Sequence, residues 1–244
     1  LLAVTTFHPQ GYSSYGRRLL EGLAEFFPGK TVSYYEEKPD LEHEKIEHRD
    51  LFQIPGLKEF LEKIKRHPGT DGRGRDGRYD YRYNASGFCR KVFAQDSVFD
   101  EDRFVFWFDS DCVVKKPIPE DFLESLLGGT ALCFLGRSGD QSYTETGFIG
   151  FDTKHPDFQK FRSRYLSYFT TGKIFSQLKG WHDCIAFDYA RQGIEGKNLT
   201  PGGHGVGHVL PDSKMGQYLV HLKGPRKFSD KYIKDALASV ERVA

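Results

Sequence analysis

The chain has 244 residues, with 35 Lys and Arg against 34 Asp and Glu, a formal net charge of +1. So balanced a composition excludes a global field that would grip nucleic acid or an anionic membrane, and any basic patch must be local. The length suits one large α/β domain that buries roughly 70 to 75% of its unfolded surface, and no stretch approaches the ~20 apolar residues of a membrane span.

Strands and helices alternate along the chain, as a nucleotide-binding α/β half requires. Leu1 to Phe7 reads as a first strand, after which Ser13 or Ser14 caps a helix whose apolar face is Tyr15, Leu19, Leu20, Leu23, Phe26 and Phe27. Pro28-Gly29 ends it. Thr31 to Tyr35 is a second strand, and Leu57, Phe60, Leu61 and Ile64 mark a short amphipathic helix. From Gly69 to Tyr83 the sequence GTDGRGRDGRYDYRY, with Arg73, Arg75, Arg78 and Arg82, is too glycine-rich for a packed element and is expected to be an exposed, mobile loop. Phe88, Val92 and Phe93 then form one face of a helix, with Arg90 and Lys91 on another side.

Phe104-Val105-Phe106-Trp107-Phe108 is an unbroken apolar run, the pattern of a strand buried on both faces, and it stops at Asp109-Ser110-Asp111. The two carboxylates thus stand at a strand end, where open α/β sheets bind ligands. Side by side they repel each other unless a cation lies between them, and hard ions such as Mg²⁺ or Mn²⁺ prefer oxygen ligands. An ordinary Asp-Ser turn is the alternative. Further on, Phe122, Leu123, Leu126 and Leu127 build a helix, Ala131 to Leu135 a strand, and Tyr143 to Phe151 places polar groups and Gly147 immediately before another strand. There Glu145 and Thr146 are either ligand-binding groups or parts of a hairpin turn. Gly180 to Cys184 leads into a helix packed through Ile185, Ala186 and Tyr189, with Asp183 well placed for the helix dipole.

Near the C-terminus, His221-Leu222-Lys223-Gly224-Pro225-Arg226-Lys227 offers an imidazole, a close-approach glycine and a cation in one loop. Imidazole ligates Mn²⁺ beside carboxylates, glycine admits a phosphate to the backbone, and Lys227 can neutralise diphosphate oxygens. With Asp109 and Asp111 as D-x-D and His221, Gly224 and Lys227 as H-x-x-G-x-x-K, the chain resembles the metal-dependent, glycogenin-like glycosyltransferases of the GT-A fold. The Pro-Trp usual after the lysine is replaced by Phe228-Ser229.

That resemblance implies a single α/β GT-A domain with a mixed central sheet, residues 1–111 binding the nucleotide sugar and 112–244 carrying the acceptor side. It implies Mn²⁺ or Mg²⁺ on Asp109, Asp111 and His221, a UDP-sugar donor (glucose first), and Lys227 with Gly224 on the diphosphate. Ser110 and Arg90 or Lys91 join the donor contacts, Glu145 and Thr146 would bind sugar hydroxyls, and Thr5, Thr6 and Phe7, with Tyr34, Tyr35 or Glu36, approach the nucleoside. Asp183 is the leading catalytic candidate: as a base it would invert the anomeric centre, and beside the donor sugar it would fit retention. The layout VTTFHPQGYSSYGRRLLEGL, YNASGFCRKVFA, FWFDSDCVV, ETGFIGF, GWHDCIAFD and HLKGPRK is also similar to phage-type glycosyltransferases of hypermodified DNA. Duplex DNA with hydroxymethylated pyrimidines is therefore the expected acceptor, and a cell-surface glycan the alternative. The N-terminus lacks a signal-peptide pattern, and Cys89, Cys112, Cys133 and Cys184 lack C-x-x-C spacing, as expected of reduced thiols in a cytoplasmic protein.

Overall fold

The computed structural model describes residues 1–139, 143–202 and 208–240. The chain opens with β1 (Leu2–Phe7), α1 (Pro9–Gly11), a π-helical stretch over Tyr12–Gly16, and α2 (Arg17–Phe26). Then come β2 (Lys30–Tyr35), β3 (Ile46–Asp50), α3 (Leu57–Ile64), α4 (Ala85–Val98) and β4 (Phe104–Phe108). After them follow β5 (Cys112–Val114), α5 (Glu120–Leu127), β6 (Leu132–Leu135), β7 (Glu145–Asp152), α6 (Phe158–Thr170), α7 (Lys173–Gln177) and α8 (Asp183–Ala190). The described chain closes with β8 (Gly196–Asn198), β9 (Leu219–His221) and α9 (Asp230–Ala238).

Seven strands form one mixed sheet in the order β3-β2-β1-β4-β7-β6-β8, and β5 pairs with β9 in a separate ribbon. Within the large sheet only β7 runs against its neighbours, β4 and β6. It therefore enters at the edge where β1, β4 and β6 end, the edge at which an α/β sheet presents a ligand site. The apolar run of β4 divides between two cores as strand alternation requires. Val105 and Trp107 pack with Val92, Phe93, Phe158 and Phe161, whereas Phe106 and Phe108 pack with Leu19, Leu23, Phe26 and Leu123. Each such buried side chain contributes roughly 1.5 to 3 kcal/mol, so the strand that delivers the D-x-D is anchored from both sides.

Several local expectations are corrected. The first helix is capped by His8, whose Nδ1 accepts from Gly11 N, and it begins at Pro9, where a missing N–H costs nothing, rather than at Ser13 or Ser14. β3 carries only one buried residue, Ile46, and as an edge strand of charged residues it shows no apolar alternation to read. Gly147 lies inside β7 rather than in a turn before it. The glycine-rich loop has a defined path: Gly69, Gly72 and Gly77 take positive φ, Arg73 bridges Tyr79, and Tyr81–Tyr83 forms a 3₁₀ turn. Among the described residues no helix is long and apolar enough to cross a membrane.

Candidate active site

The β5–β9 ribbon brings the two distant motifs together. Immediately after β4 the chain turns tightly, with Cys112 N donating to Asp109 O at 3.0 Å, and Cys112 then pairs with His221 across the ribbon. His221 Nε2 is thereby set 3.0 Å from Asp111 Oδ1 and 3.9 Å from Asp109 Oδ2. Lys227 Nζ reaches Asp111 Oδ2 at 3.1 Å and lies 4.7 Å from the centre of the Tyr15 ring. Burial opposes ionisation of Asp111, but its hydrogen bond to His221 and the charges of His221 and Lys227 outweigh it and hold the carboxyl well below the usual range. Burial likewise disfavours charged His221, yet the Asp111 and Glu145 carboxylates raise it to about 9.

This donor set fits a divalent cation. Neighbouring ligands of an octahedral ion with ~2.1 Å bonds lie about 3 Å apart, close to the Asp111–His221 separation. Asp109 offers Oδ2 from slightly farther away, because its Oδ1 accepts from Lys91 Nζ at 2.8 Å and from Trp107 Nε1 at 2.6 Å. Cys112 is near Asp111 and His221, but burial pushes its thiol well up, which disfavours the thiolate that a metal would need.

Lys91 is the centre of a second pole. Its ammonium is buried between Asp109 and Asp183, 2.8 Å from an oxygen of each, and also donates to Thr146 O at 2.5 Å. Burial alone would lower its pKa, and the two carboxylates raise it instead. Asp183 is 0% exposed and takes a further hydrogen bond from Thr146 Oγ1 at 2.6 Å. Thr144, the residue just before β7, donates through Oγ1 to Asp188 at 2.6 Å, so this segment holds α8 at two points, Asp183 and Asp188. Arg90 and Lys91, adjacent in sequence, diverge: Lys91 enters the site while Arg90 pairs with Glu36 at 2.8 Å.

Other expected residues occupy the same sheet edge in different ways. Thr5 is buried, Thr6 Oγ1 donates to Tyr34 O at 3.0 Å, and Phe7 packs in one cluster with Tyr35. Gly224 adopts φ +64 at the start of the Gly224–Phe228 turn, and a side chain there would meet nothing within 4 Å, so the glycine serves the backbone conformation. Ser110 is half-buried between the two aspartates. Glu145, expected to bind sugar hydroxyls, is buried, with Arg137 at 2.8 Å, His221 Nδ1 at 2.9 Å and His208 Nδ1 at 3.1 Å.

Sequence reasoning missed Arg137, His208 and Trp107 at the site. Trp107 lies on the strand that delivers Asp109, so its place two residues earlier on the same face was readable; the other two come from loops and carry no pattern. A cavity of about 790 Å³ opens between α3 and the start of α4, lined by Leu61, Ile64, His67, Thr70 and Arg90 among others. None of Asp109, Asp111, Asp183 or His221 lines it.

No family profile and no curated protein sequence matches the chain. Solved structures do. The bifunctional glycosyltransferase WbbM superposes with a TM-score of 0.55 at 12% identity, over 98% of this chain and 49% of WbbM. Mouse xyloside xylosyltransferase 1 superposes with a TM-score of 0.50 at 11% identity, over 94% of each chain. The fold is of the GT-A type. This GT-A chain spans about half the length of WbbM, and its seven-stranded sheet is mixed, as the resemblance implies.

Proposed function

We propose that this GT-A chain is a metal-dependent glycosyltransferase that moves a sugar from a UDP donor, with glucose the first candidate, to an acceptor hydroxyl. One observation carries the reading: Asp111 and Lys227, 116 positions apart, meet at 3.1 Å with His221 beside them at the end of β4. Departure of a nucleoside diphosphate places negative charge on its β-phosphate, and Lys227 would take up that charge. A divalent ion on Asp109, Asp111 and His221 would supply further stabilisation of the leaving diphosphate. Residues 1–111 would bind the donor, with Thr5, Thr6, Phe7 and Tyr35 at the nucleoside and Ser110 and Gly224 near the diphosphate, and 112–244 the acceptor.

The Lys91–Asp183 pair bears on stereochemistry. A carboxylate that is fully buried and tied to an ammonium is poorly placed to take a proton from an incoming hydroxyl. Asp183 and Lys91 suit a place beside the donor sugar, and front-side transfer with retention follows. Proton NMR of the first-formed product tests this; an inverted anomeric signal refutes it.

For the acceptor, two of the four loop arginines are paired within the loop, Arg82 with Asp80 at 2.6 Å and Arg78 with Asp76 at 3.6 Å. That pairing weakens the grip on a polyanion and favours a glycan. Tyr79, Tyr81 and Tyr83 are exposed on the same loop, and such rings stack on sugars or on an extruded base alike, which keeps hydroxymethylated DNA as the second reading. The deciding experiment is UDP release from UDP-glucose with Mn²⁺, comparing glycans, duplex containing hydroxymethylated pyrimidines, unmodified duplex and no acceptor. Stimulation by glycans alone supports the first reading and stimulation by modified duplex alone the second. The absence of any release, together with no binding of UDP, would refute the glycosyltransferase assignment.

A further inference from the structure

We propose that Glu145 is the positioning residue of the metal site: its buried carboxylate holds His221 through Nδ1 and so presents Nε2 to the cation beside Asp111. The inference rests on the assignment of Asp111 and His221 as metal ligands, and it replaces the expected contact of Glu145 with sugar hydroxyls.

The backbone of β7 makes the arrangement possible. Because β7 enters the sheet at the site edge, its first residues meet the ribbon, and strand alternation puts Glu145 and Gly147 on one face and Thr146 on the other. Thr146 serves the Lys91–Asp183 pole, with its hydroxyl on Asp183 and its carbonyl on Lys91. Glu145 and Gly147 serve His221. A Cβ built on Gly147 would lie 2.5 Å from His221 Nδ1 and 2.6 Å from Cε1, so that edge of the imidazole lies against bare backbone there. Glu145 Oε1 lies 2.9 Å from that same Nδ1. Floor and anchor thus come from one strand, two residues apart.

The surroundings of Glu145 explain why it acts on histidine and not on substrate. Oε1 also meets His208 Nδ1 at 3.1 Å, while Oε2 accepts from Arg137 Nη2 at 2.8 Å and from Val209 N at 3.3 Å. The residue is 2% exposed. Four partners occupy the acceptor capacity of one carboxylate, so little remains for a sugar hydroxyl. The same partners offset the desolvation of a buried charge and restrain it from swinging onto the cation itself. A carboxylate on one nitrogen of a histidine fixes its tautomer and ring plane and makes the other nitrogen a better ligand.

The test is a Mn²⁺ titration of the full chain without nucleotide, reading the free-ion EPR signal. Glu145→Gln, which keeps the volume of the side chain, is expected to weaken Mn²⁺ affinity roughly 10- to 100-fold with an unchanged near-UV spectrum in the absence of metal. Should Glu145→Gln fail to fold, Glu145→Asp keeps a buried carboxylate but is one methylene too short to hold Nδ1, and is expected to show a similar loss. Wild-type affinity in a folded Glu145 variant overturns the inference while leaving the metal site standing. Complete loss in both Glu145→Gln and His208→Gln, equal to that of Asp111→Asn, overturns it in favour of direct ligation by Glu145. A wild-type chain that takes up no Mn²⁺ overturns the metal assignment and this inference with it.

Discussion

At the scale of single residues, the site is a set of buried charges that stay charged because each has partners. Lys91 is the extreme case, an ammonium enclosed by Asp109, Asp183 and a carbonyl. Its replacement strands Asp183 without a counter-charge, so Lys91→Met is expected to lower stability by about 3 to 5 kcal/mol, measured by urea denaturation. A change under 1 kcal/mol would mean that the pair is not formed. His221 makes a prediction in pH. Its folded pKa is raised to about 9 from an ordinary value of 6.5, so the metal-free fold binds that proton more tightly than the unfolded chain. The resulting stabilisation is complete below pH 6.5 and is lost as pH rises through about 9. Thermal melts of the metal-free protein across that window are expected to fall, and His221→Gln to abolish this part of the decline. A wild-type profile that matches the variant would contradict the raised pKa.

At the scale of elements, β7 shows how one strand separates function from packing. Gly147 and Gly150 both lie in close contact, but with different neighbours. A Cβ at Gly150 would come 2.6 Å from Cys133 Sγ and 2.8 Å from the Phe106 ring, which are core atoms, whereas one at Gly147 meets the His221 imidazole at 2.5 Å. Gly150→Ala is therefore expected to cost roughly 1 to 3 kcal/mol of stability, as overpacking does, with the metal site preserved in the folded fraction. Gly147→Ala is expected to displace the imidazole and lose Mn²⁺ affinity while the fold persists. Calorimetry with Mn²⁺ titration compares the two, and equal effects on both readouts would show that the strand is not divided in this way. The antiparallel run of β7 was not legible in the sequence, since ETGFIGF has the same composition read as strand or as turn plus strand. β4 was legible, because five consecutive apolar residues ending at two aspartates admit few alternatives.

At the scale of the whole molecule, the site joins a strand end in the middle of the chain to a loop near its C-terminus, so either half alone lacks it. Asp111→Ala and His221→Ala are both expected to abolish metal-dependent turnover of the nucleotide sugar, although neither residue carries much apolar surface. Retained turnover in either variant would remove the metal assignment. The near-zero net charge agrees with this local construction: at this site charge is concentrated in pairs rather than spread as a field.

The set of reacting types and most of the frame were legible in the amino-acid order alone. The apolar run before Asp109 marked the strand end, because that signal is local, and the D-x-D and H-x-x-G-x-x-K motifs carried the resemblance that implied the GT-A fold and the cation. Tertiary structure decided which residues face one another. Only the β5–β9 ribbon sets His221 against Asp111, only the packing of α4 sends Lys91 inward and Arg90 outward, and only the direction of β7 turns Glu145 toward an imidazole. The physical reason is the same in each case: local patterning shows that a side chain faces the core, but which charges meet there depends on strand direction and register, which are set by contacts distant in sequence.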